Sequence, residues 1–259
     1  LNTLRIAYGD IAKSQALTDS TEASGYPGTN AVHPHLSRAW RTTSNAAQWI
    51  KFDVGVGKTI LFDTVVIVGH NFTAAAVVKV QTDDADTWAP PGGVDKNGDP
   101  TQAIIFVDLA PLPAVGKRYA RIYVDDPTNP AAYIQLGRVI LCNRYEGDTI
   151  DRGLKVHVED STTITRSLTG QVFADLGVTS RVYDMSLGSM KNTTKIALFA
   201  LLTAVGQWDP VVVFPAEPSV PGGVEGVAPL YATMAKTTMF TEIGGWGWTD
   251  DGMQFVEAH

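Results

Sequence analysis

The chain has 259 residues, 44% apolar and 18% charged, with a formal net charge of −7 and one cysteine. This supports a buried core and excludes a chain disordered throughout, and the acidic balance argues against a broad nucleic-acid or anionic-membrane surface. A single cysteine, Cys142, rules out an intrachain disulfide or a zinc site built on several thiolates, and its apolar neighbours predict a buried, inert thiol.

The length suggests two domains, with one large β domain as the alternative. No apolar run approaches the span of a bilayer, and the opening LNTLRIAYGD has no basic-then-apolar leader pattern, so the expectation is a soluble protein made in the cytoplasm. Leu4–Tyr8 is a short strand candidate. Ser14–Ser37 is polar and turn-rich, with Tyr26, Val32 and Leu36 as anchors for ordered loops. Two apolar runs follow, one with Trp49, Phe52 and Val54, the other with Ile60, Phe62 and Val65–Val68. Gly55-Val56-Gly57-Lys58 lies between them, and the expectation is two adjacent strands.

Ala76–Thr82 reads as a strand, Asp83–Pro100 as a long loop with an Asn97-Gly98 turn, and Ala103–Leu109 as a strand closed by Pro111 and Pro113. In Arg118–Val124 the residues alternate: Tyr119, Arg121 and Tyr123 face one way, Ala120, Ile122 and Val124 the other. Tyr133–Cys142 is the next strand. Turn signals roughly every ten residues predict an antiparallel sandwich or jelly roll.

The polar, glycine-bearing Glu146–Gly153 marks a boundary between domains 1–147 and 148–259. Beyond it, Leu154, Val156 and Val158 alternate with Lys155, His157 and Glu159. Further strands are predicted at Thr163–Leu168, Gln171–Asp175 and Arg181–Leu187. One helix is expected over Thr193–Val205, because Leu198, Leu201, Leu202 and Val205 share a face. Asn192 or Thr193 is its candidate cap, and Gly206 its end. Val211–Phe214 is a short strand, Pro215–Pro229 a loop, and Leu230–Thr241 and Gly247–Glu257 two strands around Gly244-Gly245-Trp246.

Residues with chemical potential are scattered. His33-Pro34-His35 could turn two imidazoles toward a metal, but also reads as two solvated loop histidines. His70-Asn71 reads as a structural turn, with a catalytic dyad as the alternative. Asp95–Asp99 has glycine at the fourth position rather than the sixth of a calcium loop. Asp83, Asp84 and Asp86 read as a solvated acidic loop, calcium being the alternative. No Gly-x-Ser-x-Gly elbow and no phosphate-cradling glycine loop occurs. The expectation is therefore no enzyme, with no catalytic, cofactor-binding or metal-binding residues. Of the tryptophans, Trp40 and Trp49 are expected in the core, Trp246 and Trp248 in a packing cluster or protein contact, and Trp88, in the long loop, is the candidate ligand contact.

Residues Ser24–Gln81 resemble the discoidin (coagulation factor 5/8 C-type), galactose-binding-like fold. The resemblance is carried by Ala31, Leu36–Arg41, Trp49-Ile50-Lys51-Phe52-Asp53-Val54-Gly55 and Val65-Val66-Ile67-Val68-Gly69-His70-Asn71. The Gly-His-Asn ending resembles the version found in bacteriophage structural proteins. Gly170–Asp175, Arg181–Leu187, the helix, Val205–Pro215 and Trp248–Ala258 are similar to phage tail-associated proteins.

These resemblances imply a mainly β chain. Its N-terminal half would be a discoidin-like jelly-roll β-sandwich, and its C-terminal half a sandwich-like, distal-tail-like domain with one flanking helix at about 193–205. They imply a structural virion protein, located in a phage tail tip or distal tail, that assembles with copies of itself into a ring and holds other tail or virion proteins. The loops Asp83–Pro100 and Pro215–Pro229 would make the contacts. The alternatives are a carbohydrate-binding module for host-surface polysaccharide, or a head–tail connector or capsid decoration protein. No nucleic acid, membrane or cofactor is expected.

Overall fold

A computed structural model describes residues 3–89, 91–109, 116–149, 154–187, 190–215, 227–243 and 247–259. The chain divides into two compact units, one of Ala7–Arg144, the other of the residues up to Ile6 together with Tyr145–Ala258. Strand β1 (Thr3–Tyr8) opens the chain. In the first unit follow β2 (Ala16–Asp19), β3 (Trp40–Arg41), β4 (Gln48–Asp53), β5 (Thr64–Val68), β6 (Val77–Asp83), β7 (Asp95–Gly98), β8 (Ile104–Asp108), β9 (Tyr119–Asp125), β10 (Gln135–Leu136) and the start of β11 (Arg138–Thr149).

Five of these strands form one antiparallel sheet in the order β2-β4-β9-β6-β7. Against it packs the antiparallel set β11-β5-β8. The core lies between them. Ile50, Phe52, Val78, Val80, Ala120, Ile122 and Val124 come from the first sheet, and Val65, Ile67, Ile105, Val107, Val139 and Leu141 from the second. Each fully buried Leu, Ile, Val or Phe contributes about 1.5–3 kcal/mol by leaving water. Trp40 joins this core fully buried, its indole N–H donating to the Thr21 carbonyl at 3.0 Å. Cys142 is buried and free, and burial pushes its thiol pKa up.

The first unit is thus the antiparallel sandwich that the alternation predicts, with three differences. The two runs flanking Gly55–Lys58 are not neighbouring strands: β4 pairs with β2 and β9, while β5 lies in the other sheet, between β11 and β8. Gly55 and Gly57, at φ 92° and 75°, carry the chain across the sandwich instead of closing a hairpin. Ile60 and Phe62 are buried on the crossing, where Ile60 forms an isolated bridge to Lys117. Finally, Asp95–Gly98 is a strand rather than a turn. It pairs Val78 with Gly98 and Gln81 with Asp95, so β6 recruits a polar segment that has little β propensity of its own.

The second unit contains β12 (Lys155–Asp160), β13 (Thr163–Arg166), β14 (Val172–Asp175), β15 (Thr179–Met185), helix α1 (Asn192–Val205), β16 (Val211–Phe214), β17 (Leu230–Lys236), β18 (Phe240–Ile243), β19 (Gly247–Asp250) and β20 (Met253–Glu257). Its main sheet runs β12-β15-β20-β17-β16. The buried set includes Val182, Tyr183, Met185, Val211–Phe214, Met234 and Phe255.

Helix α1 buries Leu198, Leu201 and Val205, the face read from spacing, and ends at Gly206. Its start differs from expectation. Lys191 is the N-cap and lends no side chain, and Asn192 is already helical. The alternation in Leu154–Glu159 does not mark a buried face, because all six residues of β12 are exposed. The two long strands expected near the C-terminus are four, since breaks after Lys236 and Asp250 separate β17 from β18 and β19 from β20. Trp246, most of Pro215–Pro229, Pro111, Pro113 and residues 150–153 lie outside the described residues. No helix among the described residues is long and apolar enough to cross a membrane.

Candidate ligand-binding site

The outward face of the five-stranded sheet follows from strand pairing. In β4 the inward residues are Gln48, Ile50 and Phe52, so Trp49, Lys51 and Asp53 must point to the opposite side. Antiparallel register then aligns rows across β4, β9 and β6. Trp49 meets Tyr123, which meets Lys79; Lys51 meets Arg121, which meets Gln81; Asp53 meets Tyr119, which meets Asp83. Aromatic and charged residues thus share this face, alternating along β9 as Tyr119, Arg121 and Tyr123. Trp49, expected in the core, is therefore only partly buried and forms part of a surface platform.

The segment after β6 folds back over this face because of Asp83. Its carboxylate is 2% exposed and accepts from the Ala85 N–H at 2.7 Å, the Gly92 N–H at 2.6 Å and the Thr87 hydroxyl at 3.1 Å. Burial alone would raise its pKa, but these donors together more than offset that and lower it. Asp84 accepts from Lys117 Nζ at 2.7 Å, and that contact holds its carboxyl below the ordinary range. The acidic cluster is thus more than a solvated loop. Each carboxylate is spent on ordering the loop, and no group of His, Cys, Asp or Glu suited to a metal ion occurs among the described residues.

The ordered loop brings Trp88 onto the sheet. Its indole lies with the Arg121 guanidinium carbon 4.3 Å from the ring centre, and its Nε1–H donates to Asp86 at 2.8 Å. The other Asp86 oxygen accepts from Lys51 Nζ at 2.6 Å. Lys51 stands 5.6 Å from the Trp49 ring centre and 5.4 Å from that of Tyr119, while Arg121 also bonds the Gln81 side-chain oxygen. Trp49, Lys51, Asp86, Trp88 and Arg121 together line one shallow groove of about 220 Å³. That is below the usual 300–1,000 Å³ of drug-sized sites, so the groove suits a single small ring rather than a large ligand. In the next outward row of β4, Asp53 forms a two-pronged ion pair with Arg118, 2.8 and 2.7 Å, which lowers the Asp53 pKa.

The histidines lie elsewhere. His33 and His35 have ring centres 5.2 Å apart, and the His35 N–H donates to His33 Nδ1. His70 is a structural turn: its Nδ1 accepts the Phe72 N–H at 3.2 Å, which leaves Nε2 to donate to the Gln102 carbonyl at 2.7 Å. Asn71 bonds the Tyr133 carbonyl and the Gln135 N–H. Among the sequence-derived candidates, Trp88 belongs to the groove. Lys51, Asp86 and Arg121 were not anticipated there, although the alternation around Arg121 already showed it facing outward.

Among curated proteins, none matches this chain. Solved structures to which the chain is similar match at low identity and low TM-score. The lectin domain of lectinolysin, complexed with Lewis B antigen, is 18% identical with a TM-score of 0.40, over 53% of this chain and 98% of that one. Chitosan-binding module 1 from a chitosanase/glucanase of Paenibacillus sp. IK-5 is 17% identical with a TM-score of 0.39, over 52% and 98%. The family 32 carbohydrate-binding module of C. perfringens NanJ, in complex with galactose, is 13% identical with a TM-score of 0.39, also over 52% and 98%. The model of the F5/8 type C domain matches residues 16–137, which span both sheets of the sandwich. The N-terminal half of the chain carries an F5/8 type C domain.

Proposed function

We propose that the N-terminal unit is a carbohydrate-binding domain that seats one sugar ring in the groove beside Trp49 and Trp88. The observation that carries the reading is the convergence of two partly exposed indoles with Lys51, Asp86 and Arg121 on one shallow concavity. A pyranose has an apolar C–H face and a hydroxyl rim. An indole accepts the face, and charged side chains bond the rim. An ammonium has three donors, of which Lys51 gives one to Asp86, so capacity remains for a ligand. The reading is of binding without turnover, with a surface polysaccharide as the partner.

Titration calorimetry against a panel of mono- and oligosaccharides tests it. A glycan that binds the wild type should lose at least about tenfold in affinity, roughly 1.4 kcal/mol, with Trp88→Ala and with Trp49→Ala, while circular dichroism stays unchanged. Undiminished binding in both variants, or no binding to any glycan, overturns the reading.

A second reading is a virion subunit of a phage tail, connector or capsid, in which neighbouring copies and other virion proteins cover surface that the lone chain leaves bare. The observation favouring it is in the second unit. Ile164, Leu168, Val172, Phe173, Leu176 and Val178, in and around the β13–β14 hairpin, are all more than half exposed. Locating the chain in purified particles by labelling and imaging is the test, and absence from every particle fraction defeats it.

A further inference from the structure

Strand β12 ends its sheet. One edge pairs with β15 through all six residues, from Lys155 with Asp184 to Asp160 with Thr179, and no described residue pairs with the other edge. Exposed edges are normally blunted by a proline, a bulge or charged side chains, and of these β12 carries only charges, Lys155, Glu159 and Asp160. Here β12 has unbroken register and no proline, and Val156 and Val158 stand 49% and 62% exposed.

The sequence of the strand is complementary to itself in one register. Lys155, His157 and Glu159 share one face, Val156, Val158 and Asp160 the other. A two-fold axis normal to the sheet keeps each residue on its own face, so residues of like parity must oppose. With the axis at His157, Lys155 meets Glu159 of the second copy and Val156 meets Val158, each twice, and His157 meets its own copy. Moving the axis to Val158 instead sets Lys155 against Ser161 and Val156 against Asp160, which loses both matches. Opposite charges directly across an antiparallel pair stabilise, and like charges destabilise.

We propose that β12 pairs antiparallel with β12 of a second copy of this chain, continuing the sheet across a two-fold axis at His157. The contact is isologous and closes at two copies. It does not depend on glycan binding in the other unit.

Sedimentation equilibrium of the full chain tests the proposal. The wild type should dimerise. Lys155→Glu and Glu159→Lys each turn two attractive pairs into two repulsive ones, and each should weaken the dimer about tenfold or more. The double swap K155E/E159K restores the attraction and should recover wild-type association. Val158→Pro, which removes one edge donor, should weaken association with the thermal unfolding profile checked alongside. A wild type that stays a monomer at high concentration, or a dimer or ring unmoved by the single reversals, overturns the proposal. So does a double swap no better than its parents.

Discussion

Arg138 Nη2 lies 3.3 Å from Asp10 Oδ2, across 128 residues of sequence, with the two side chains 0% and 2% exposed. Asp10 also accepts the Ala12 N–H at 3.0 Å and the Leu141 N–H at 3.3 Å, so one carboxylate ties a 3₁₀ turn, a strand and a buried cation together. Breaking a buried pair leaves an uncompensated charge and costs about 3–5 kcal/mol. Arg138→Met should therefore lower the urea midpoint severely. Adding Asp10→Leu to it should recover part of the loss, because the stranded charge is gone even though two N–H groups lose their acceptor. Denaturation of the three variants measures the coupling.

Asp83 should behave as the keystone of the groove. Asp83→Asn leaves the shape and removes the charge that the three donors serve, at a cost of about 1–3 kcal/mol. The sign with pH follows from its lowered pKa. Its stabilising effect is fully present above the unfolded value of about 3.9 and is lost as pH falls through the folded one. The stability gap between wild type and Asp83→Asn should shrink below about pH 4. Tryptophan fluorescence should report a loosened Trp88 at neutral pH in the variant.

His70 should resist protonation. Burial lowers its pKa, and its Nδ1 already accepts a backbone N–H, which an imidazolium could not do. A lowered folded pKa favours the neutral ring, so the contribution is full above about pH 6.5 and is lost as the solution is acidified through the folded value. NMR titration of the ring should give a midpoint below the free-histidine value. The His70→Gln variant should lack this part of the decline in stability between pH 7 and 5.

Gly206 ends α1 at φ 60° and ψ −147°, a region closed to side chains. Its N–H still donates to the Leu202 carbonyl at 3.0 Å. Gly206→Ala should destabilise the second unit by about 1–3 kcal/mol, measurable as a lower midpoint for the second unit's unfolding.

Strands with clean alternation were legible from the residues. Tyr119–Asp125 places Ala120, Ile122 and Val124 inside as read, and Val211–Phe214 is buried throughout. What propensity could not supply was partnership. Nothing local to Gly55–Lys58 says whether the chain turns back within a sheet or crosses to the next, since both need glycine. Trp49 was misplaced because aromatic bulk beside apolar neighbours reads as core, whereas the parity set by Ile50 and Phe52 turns it outward. Asp95–Gly98 becomes a strand only because β6 offers an edge. Trp88 stood out in the sequence as a candidate, but its setting was not legible. That setting depends on Asp83 being buried by a loop nine residues on, and on Arg121 arriving from another strand.

The division of labour within β4 has a consequence for how this protein can change. Inward Ile50 and Phe52 and outward Trp49, Lys51 and Asp53 share one backbone but touch different neighbours. Point replacements on the outer side can reshape the groove at little expense to folding. A one-residue insertion in the same strand would reverse every side chain beyond it, burying Lys51 and casting Phe52 into water. Lineages descended from this chain should thus diverge on that side by exchange of residues and never by a change in strand length.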